Sequence, residues 1–424
     1  MKIDYLKNKA LKSFGKGRLI AQYKFDKNIY ENLIPEFNSE FTNYELIDEY
    51  LDMEENIVTR SIYTSQKNVY PSTIIFGSME KRDKEKSLLS IEYLKVTDKI
   101  TNMENMFSNC YNLSYIHGLE NWETVNVVSM RRMFYYCKSL NSLDLHNFDT
   151  VNVADMRDMF NRCTSLVSLN IKNFDTSSVI SMSAMFSGCK LLEKIDISNF
   201  NTSNVTDMST MFFSCSSLQE LNVKKFDTGN VEDMRAMFSN CSSLKELDVS
   251  GWNVEKVTNM KDLFCRCYTL KTVGDLNRWN VANVTTMWSM FSHCYNLQNI
   301  GNISRWNVGQ VVTMSHMFNE CKSLKTLDIQ RWKTTNTKDI NSMFSKCITL
   351  SSLKLCKFNE NVNMINIFNY CDKLKNIMVP TSTLIDRLAP HLPLRKTAGQ
   401  ISIVIGKYVG NASELLNSKN WKIK

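Results

Sequence analysis

A Phe recurs along this chain at Phe107, Phe134, Phe160, Phe186, Phe212, Phe238, Phe264, Phe291, Phe318, Phe344 and Phe368, within variants of the pattern M-x-x-M-F-x-x-C. The steps are 26 or 27 residues, with a last step of 24. A Cys follows each Phe by three residues, and 19 of the 23 Met fill the two Met positions. A period of this length marks a solenoid, because one unit cannot bury its apolar stripe alone and must stack on copies of itself.

The unit at residues 208–233 shows what each copy would build. Met208, Met211, Phe212 and Cys215 are spaced i, i+3, i+4, i+7, which predicts a short helix with one buried face. Leu218, Leu221 and Val223 lead into an alternating strand, Phe226 closes it, and Asp227-Thr228-Gly229-Asn230 is turn chemistry. Stacked units would pair these strands in parallel, about 4.8 Å apart. The expected fold is therefore an α/β solenoid of eleven units with a parallel sheet. Gly118, Gly274 and Gly301 fall in the longer units and predict bulges.

The ends differ from the middle. The stretch from Ser87 to Tyr93 reads as a first strand without its helix, over a head at 1–86 with strand-like runs at 18–25, 57–64 and 73–76 and an acidic, aromatic middle. The repeats fill 87–380. Residues 381–424 predict a small α/β cap with helices near 384–388 and 412–416, a strand at 401–405 and a last strand through Trp421. The head is expected to cap the array or attach it to a partner.

Composition narrows the function classes. A net charge of +8 over 424 residues is mild and does not demand nucleic acid. The N-terminal residues lack the apolar core of a secretion signal, and no apolar run of about 18 residues predicts a membrane span. The C-terminal residues carry no anchor or lipidation signal. No nucleic-acid partner and no membrane insertion are expected.

The units resemble the BspA-type bacterial leucine-rich repeat, most clearly at residues 156–179, 182–205 and 208–231. The resemblance spans about 87–380. It implies a right-handed leucine-rich solenoid and a role in surface adhesion or recognition, with no shared catalytic residues. Similar repeats also occur in tail-associated proteins of Firmicutes prophages. In those, a head like residues 29–37 with 57–76 precedes the repeats, and an ending like residues 417–421 closes them.

The remaining constellations favour packing over chemistry. Eleven of the 13 Cys share one inner column, so buried free thiols are expected rather than disulfides or a metal site; Cys265 and Cys356 stand outside it. Gly15-Lys16-Gly17 lacks the rest of a phosphate loop, and His117, His146, His293, His316 and His391 share no repeat phase. Neither a cofactor nor catalysis is expected. Trp122, Trp252, Trp279, Trp306 and Trp332 replace Phe148, Phe174, Phe200 and Phe226 in one column, which predicts core rather than a sugar platform. Asp149, Asp175 and Asp227 interchange with Asn201, Asn253, Asn280 and Asn307, which predicts an Asx-turn ladder rather than a Ca²⁺ ladder.

One outward column is the candidate binding face. It runs Asn121, Asn147, Asn173, Asn199, Lys225, Gly251, Arg278, Arg305, Arg331 and Lys357, neutral amides first and cations after. Stacked cations of this kind suit an anionic ligand. The expectation is non-enzymatic recognition of a host cell-surface glycopolymer or protein through the repeats. Residues 1–86 would dock to a phage tail or tail-like particle. A bacterial surface adhesin and an intracellular scaffold are the alternatives.

Overall fold

The computed structural model describes residues 18–27, 36–37, 45–52, 57–64, 73–76, 87–403 and 408–424. Gly15-Lys16-Gly17, residues 29–35 of the expected head segment and residues 404–405 of an expected strand lie outside them. The chain forms two compact units, Met1–Asn201 and Thr202–Lys424. Each is a stack of coils, as the period requires.

In the first unit, β1 (Arg18–Asp26), β4 (Ile57–Thr64) and β6 (Leu88–Leu94) form an antiparallel core, with β3 (Glu45–Asp52) on the far side of β4. The two-residue strands β2 (Glu36–Phe37) and β5 (Ile74–Ile75) pair separately. β6 has two partners of opposite sense, β1 antiparallel and β7 (Tyr115–Ile116) parallel. The head sheet therefore passes directly into the first coil strand. Phe76 does the same for the core: its N–H donates to the Met106 carbonyl at 2.8 Å, and its ring stacks 5.7 Å from Phe107. The head supplies the first rung of the Phe column and covers the apolar end that a bare first coil would expose. Later coils of this unit pair in parallel through β8 (Ser142–Asp144) and β9 (Ser168–Asn170).

The second unit carries the same coil. Its strand face is continuous at one end, where β10 (Thr326–Asp328), β11 (Ser352–Lys354), β12 (Asn376–Val379), β13 (Gly399–Ile403) and β14 (Trp421–Ile423) are all parallel neighbours. Residues 246, 272 and 299 contribute only isolated parallel bridges. Helices α1 (Ser382–Leu388) and α2 (Ser413–Ser418) cross between the last strands. The tail is thus two further turns of the same sheet, now with true helices. Thr381 caps α1 by accepting the Leu384 N–H.

The M-x-x-M-F-x-x-C segment is not helical, which differs from the sequence reading. It is two consecutive tight turns. Met211 N–H returns to the Met208 carbonyl and Cys215 N–H to the Phe212 carbonyl. The residue before the closing position has positive φ in each turn, 54° at Thr210 and 59° at Ser214, the third-residue geometry of a type II turn. The same pair recurs in all eleven repeats, from Asn105 and Asn109 to Asn366 and Tyr370, with Gly188 in one place. Positive φ twice in eight residues ends any helix. The alternate N–H groups point along the stack: Met208, Thr210, Phe212 and Ser214 donate to the carbonyls of Asp233, Arg235, Met237 and Ser239 in the next coil, at 2.7–3.0 Å. Every main-chain donor is used, half within the coil and half between coils.

This packing makes ladders. Phe rings stack at 5.7 Å steps through the first unit and at 5.3–6.0 Å in the second. Those distances lie within the range of favourable aromatic pairs, and each ring adds about 1.5–3 kcal/mol of burial. Gly118, Gly274 and Gly301 have φ of 75°, 85° and 76°. They form left-handed corners, not bulges in a ladder. A 3₁₀ turn follows at Leu119–Asn121 and at Leu276–Arg278. Among the described residues, no helix is long and apolar enough to cross a membrane.

Candidate recognition surfaces

The corner after each strand holds the column singled out from the sequence. In the first unit its amides are committed to the coil stack. Asn147 donates to the Leu119 carbonyl at 3.1 Å, Asn173 to that of His146 at 2.7 Å, and Asn199 to that of Phe174 at 2.8 Å. Asn121 bonds Glu120 instead, at 3.0 Å. Three of the four therefore act as staples between coils, a role that repeat phase alone did not reveal.

In the second unit, Lys225, Arg278, Arg305, Arg331 and Lys357 are all exposed, with Gly251 among them. None of the five cations pairs with a carboxylate among the described residues, whereas adjacent columns do: Lys224 meets Asp248 at 3.1 Å and Lys354 meets Asp328 at 3.0 Å. The Trp rings that follow Arg278, Arg305 and Arg331 are 6.2 and 6.1 Å apart and nearly parallel. The three Arg stems are therefore rooted one coil apart. Charges at about 6 Å in water repel by about 0.7 kcal/mol. The stack tolerates that cost, and a polyanion would turn it into attraction.

The Trp column itself is core. Trp252, Trp279, Trp306 and Trp332 are 2–3% exposed, and each indole N–H donates to a main-chain carbonyl of the preceding coil at 2.8–3.1 Å. The Asp and Asn residues after these aromatics form the expected turns. Asp175 accepts the Ser177 N–H at 2.8 Å, Asp227 that of Gly229 at 3.0 Å and Asn253 that of Glu255 at 3.1 Å. Two further corners of the coil repeat the device, at Asp233 with Arg235 and at Asp248 with Ser250. The oxygens point back at their own main chain and leave no converging cage for a cation. Among the described residues, no three His, Cys, Asp or Glu side chains gather around a common point.

The Cys column has a specific partner. The thiols of Cys137, Cys163, Cys241, Cys267, Cys294, Cys321, Cys347 and Cys371 each donate to the carbonyl of the Phe one coil before, at 2.9–3.1 Å for most and 3.2 Å at Cys321. Burial pushes these thiols well above their ordinary range, so they are poor nucleophiles.

The outer side of the double turn is the surface that sequence reasoning missed. In the first unit, Tyr136 lies between Lys138 and Arg162, whose cations sit 5.3 and 4.7 Å from its ring. In the second, buried Glu320 collects Lys346 at 2.7 Å, Lys322 at 3.3 Å and His293 at 3.7 Å. Burial opposes ionisation of Glu320, but the two ammonium groups outweigh it and hold the carboxyl below its usual range. Beside this cluster is a recess of about 430 Å³ that runs from Phe213 to Asn319 past Trp288. The available signal was aromatic residues outside the aromatic columns, such as Trp288, Tyr136 and Phe213.

Two comparisons bear on identity. No curated protein matches the sequence. A family model matches three overlapping stretches, residues 84–193, 166–273 and 265–379, which together cover well over half of the chain. The chain therefore belongs to the repeat family described as "Mycoplasma protein of unknown function, DUF285".

Proposed function

We propose that the protein is a non-enzymatic recognition protein that binds an anionic cell-surface polymer through the cation column of its second unit. The reading rests on one observation: Lys225, Arg278, Arg305, Arg331 and Lys357 are exposed at corners of one column, interrupted by Gly251, with no carboxylate paired to them among the described residues. A regular row of cations suits a regular row of anions, and Arg is the residue best fitted to carboxylate and phosphate oxygens. In this reading the protein is carried on a phage tail or tail-like particle, with residues 1–86 docked to the particle and the repeats toward the host cell. The adhesion role that goes with BspA-type repeats supports the recognition half of the proposal.

Replacing Arg278, Arg305 and Arg331 together by Ser tests the ligand half. Binding of the full chain to whole cells and to a purified anionic glycopolymer should fall at least tenfold, and the wild-type affinity should drop steeply with added salt. Unchanged binding across the salt series eliminates the column. Sedimentation of particles from a producing culture tests the carrier half, which fails if the protein stays in the supernatant.

A further inference from the structure

We propose that the recess around Trp288 is a saccharide site that stacks a neutral sugar ring on the indole and hydrogen-bonds its hydroxyls through the amides and imidazoles of the neighbouring coils. This rests on the reading of the chain as a recognition surface, at a face of the second unit distinct from the Arg corner.

Trp288 is anomalous within its own column. The equivalent position holds Arg131, Arg157, Arg235 and Lys261 in other repeats, the small buried Ser209 and Ser315, and an exposed aliphatic residue at Ile365, but no other aromatic. An aromatic there contributes nothing to the core, and Trp288 remains half-exposed. Six of the seven Trp in the chain are at most 4% exposed, so Trp288 alone presents an indole to solvent. The Lys261 ammonium sits 4.6 Å from its ring centroid and the His316 ring stands edge-on at 6.4 Å, so the indole is held at a defined angle.

The groups around it are mixed in a way that selects a polyol. Asn319 and Ser289 provide neutral donors and acceptors and Asn240 an amide oxygen, while the Asp262 carboxylate lies among them with Arg266, and Lys261 is held on the indole. A phosphate or polyanion would need cations without the carboxylate. A purely apolar ligand would strand the amides. His293 fits the same chemistry: its Nδ1 is 2.8 Å from the Ser292 hydroxyl, and burial holds the ring below its ordinary value, so it is neutral near pH 7 and keeps one ring nitrogen, Nε2, for a sugar hydroxyl. The volume of about 430 Å³ suits one or two sugar rings. The recess also lies along the coil stack, so a chain of sugars could follow it.

Full-length protein on an array of neutral and acidic glycans is the test, followed by titration of the best neutral binder with intrinsic Trp fluorescence as the readout. Binding of a neutral glycan is expected, with a saturable change in Trp emission. Trp288→Ala should weaken it at least tenfold, Asn319→Ala several-fold, and Trp288→Phe should retain part of it. The Arg278, Arg305 and Arg331 to Ser variant should bind the neutral glycan as wild type does, which separates this site from the cation column. Absence of any neutral glycan on the array overturns the proposal. So does wild-type affinity in a folded Trp288→Ala variant.

Discussion

The thiol of Cys163 donates to the carbonyl oxygen of Phe134, one coil earlier, at 3.0 Å. That carbonyl already accepts the Cys137 N–H of its own turn at 3.1 Å. The thiol fills its second lone pair and explains why the column is Cys rather than Ala. Cys163→Ala removes a buried sulfur and leaves a small void, an expected cost of about 1–2 kcal/mol in urea unfolding. Cys163→Ser keeps a donor of similar size and should cost less than the Ala change. Labelling with an aromatic disulfide reagent gives a second measure. Of the 12 thiols other than Cys265, none should react before unfolding, whereas half-buried Cys265 should react slowly, its pKa being raised to about 12 by burial and by the adjacent Asp262 carboxylate.

The left-handed positions allow a matched pair of substitutions. Ala184 has φ of 55° and Gly188 has φ of 73°, the two special positions of one double turn. Ala184→Gly relieves the crowding an L-residue feels there and should stabilise the protein by up to about 1 kcal/mol. Gly188→Ala introduces that crowding and also sets a Cβ 3.2 Å from Cγ of Arg162, so it should destabilise by more than about 1 kcal/mol. Urea midpoints that shift in the same direction for both would contradict the turn assignment. A helix in this segment predicts the opposite sign for Ala184→Gly.

The same double turn marks where sequence reading stopped. Period, column identity and the inward face of the Met, Phe, Cys and Trp columns followed from spacing, because burial depends only on which residues share a side. The spacing i, i+3, i+4, i+7 is common to a helix and to two linked tight turns, so it could not tell them apart. Arg132, Tyr136 and Lys346 all take positive φ, yet none has the composition of a left-handed position. They are held there by coil-to-coil hydrogen bonds that no single unit contains. Strand β3 was hidden for another reason: its sequence ELIDEYLD carries four carboxylates, and only pairing with β4 makes it a strand. At the candidate site, the Arg corner could be read from phase. The Trp288 recess could not, since its walls come from the outer sides of several coils that only the double turn brings together.

Acid should loosen the Asx corners in a defined direction. The Asp175 carboxylate accepts the hydroxyl and N–H of Ser177, and Asp196 those of Ser198, which holds both carboxyls below the usual Asp range. Because the folded value is the lower one, the unfolded chain binds more protons as the solution is acidified. The stabilisation is complete above the unfolded value near 3.9 and is lost as pH falls through the folded value. Both groups are largely exposed, so each contributes only a few tenths of a kcal/mol. Asn already fills the corner of Asp196 at Asn170 and Asn222, and that of Asp175 at Asn253. The double variant Asp175→Asn, Asp196→Asn should therefore fold normally and show a shallower decline of urea midpoint between pH 5 and 2. A curve parallel to that of wild type would remove these carboxylates from the account.

Trp122 and Trp306 occupy the same column, one in each unit, and differ in one bond. The Trp306 indole N–H donates to the Leu276 carbonyl at 3.0 Å, while that of Trp122 is buried and has no acceptor among the described residues. Trp→Phe at either position removes the same ring volume from a stacked column, so the cavity cost is shared. At Trp306 the change also discards a hydrogen bond. At Trp122 it discards a desolvated, unpaired donor, which is favourable by itself. Trp306→Phe should thus be more destabilising than Trp122→Phe by about 1–2 kcal/mol, measured as urea midpoint and slope on the full chain. If the two variants lose the same stability, volume alone decides this column. The indole N–H would then have no part in choosing Trp over the Phe found at Phe148, Phe174 and Phe200.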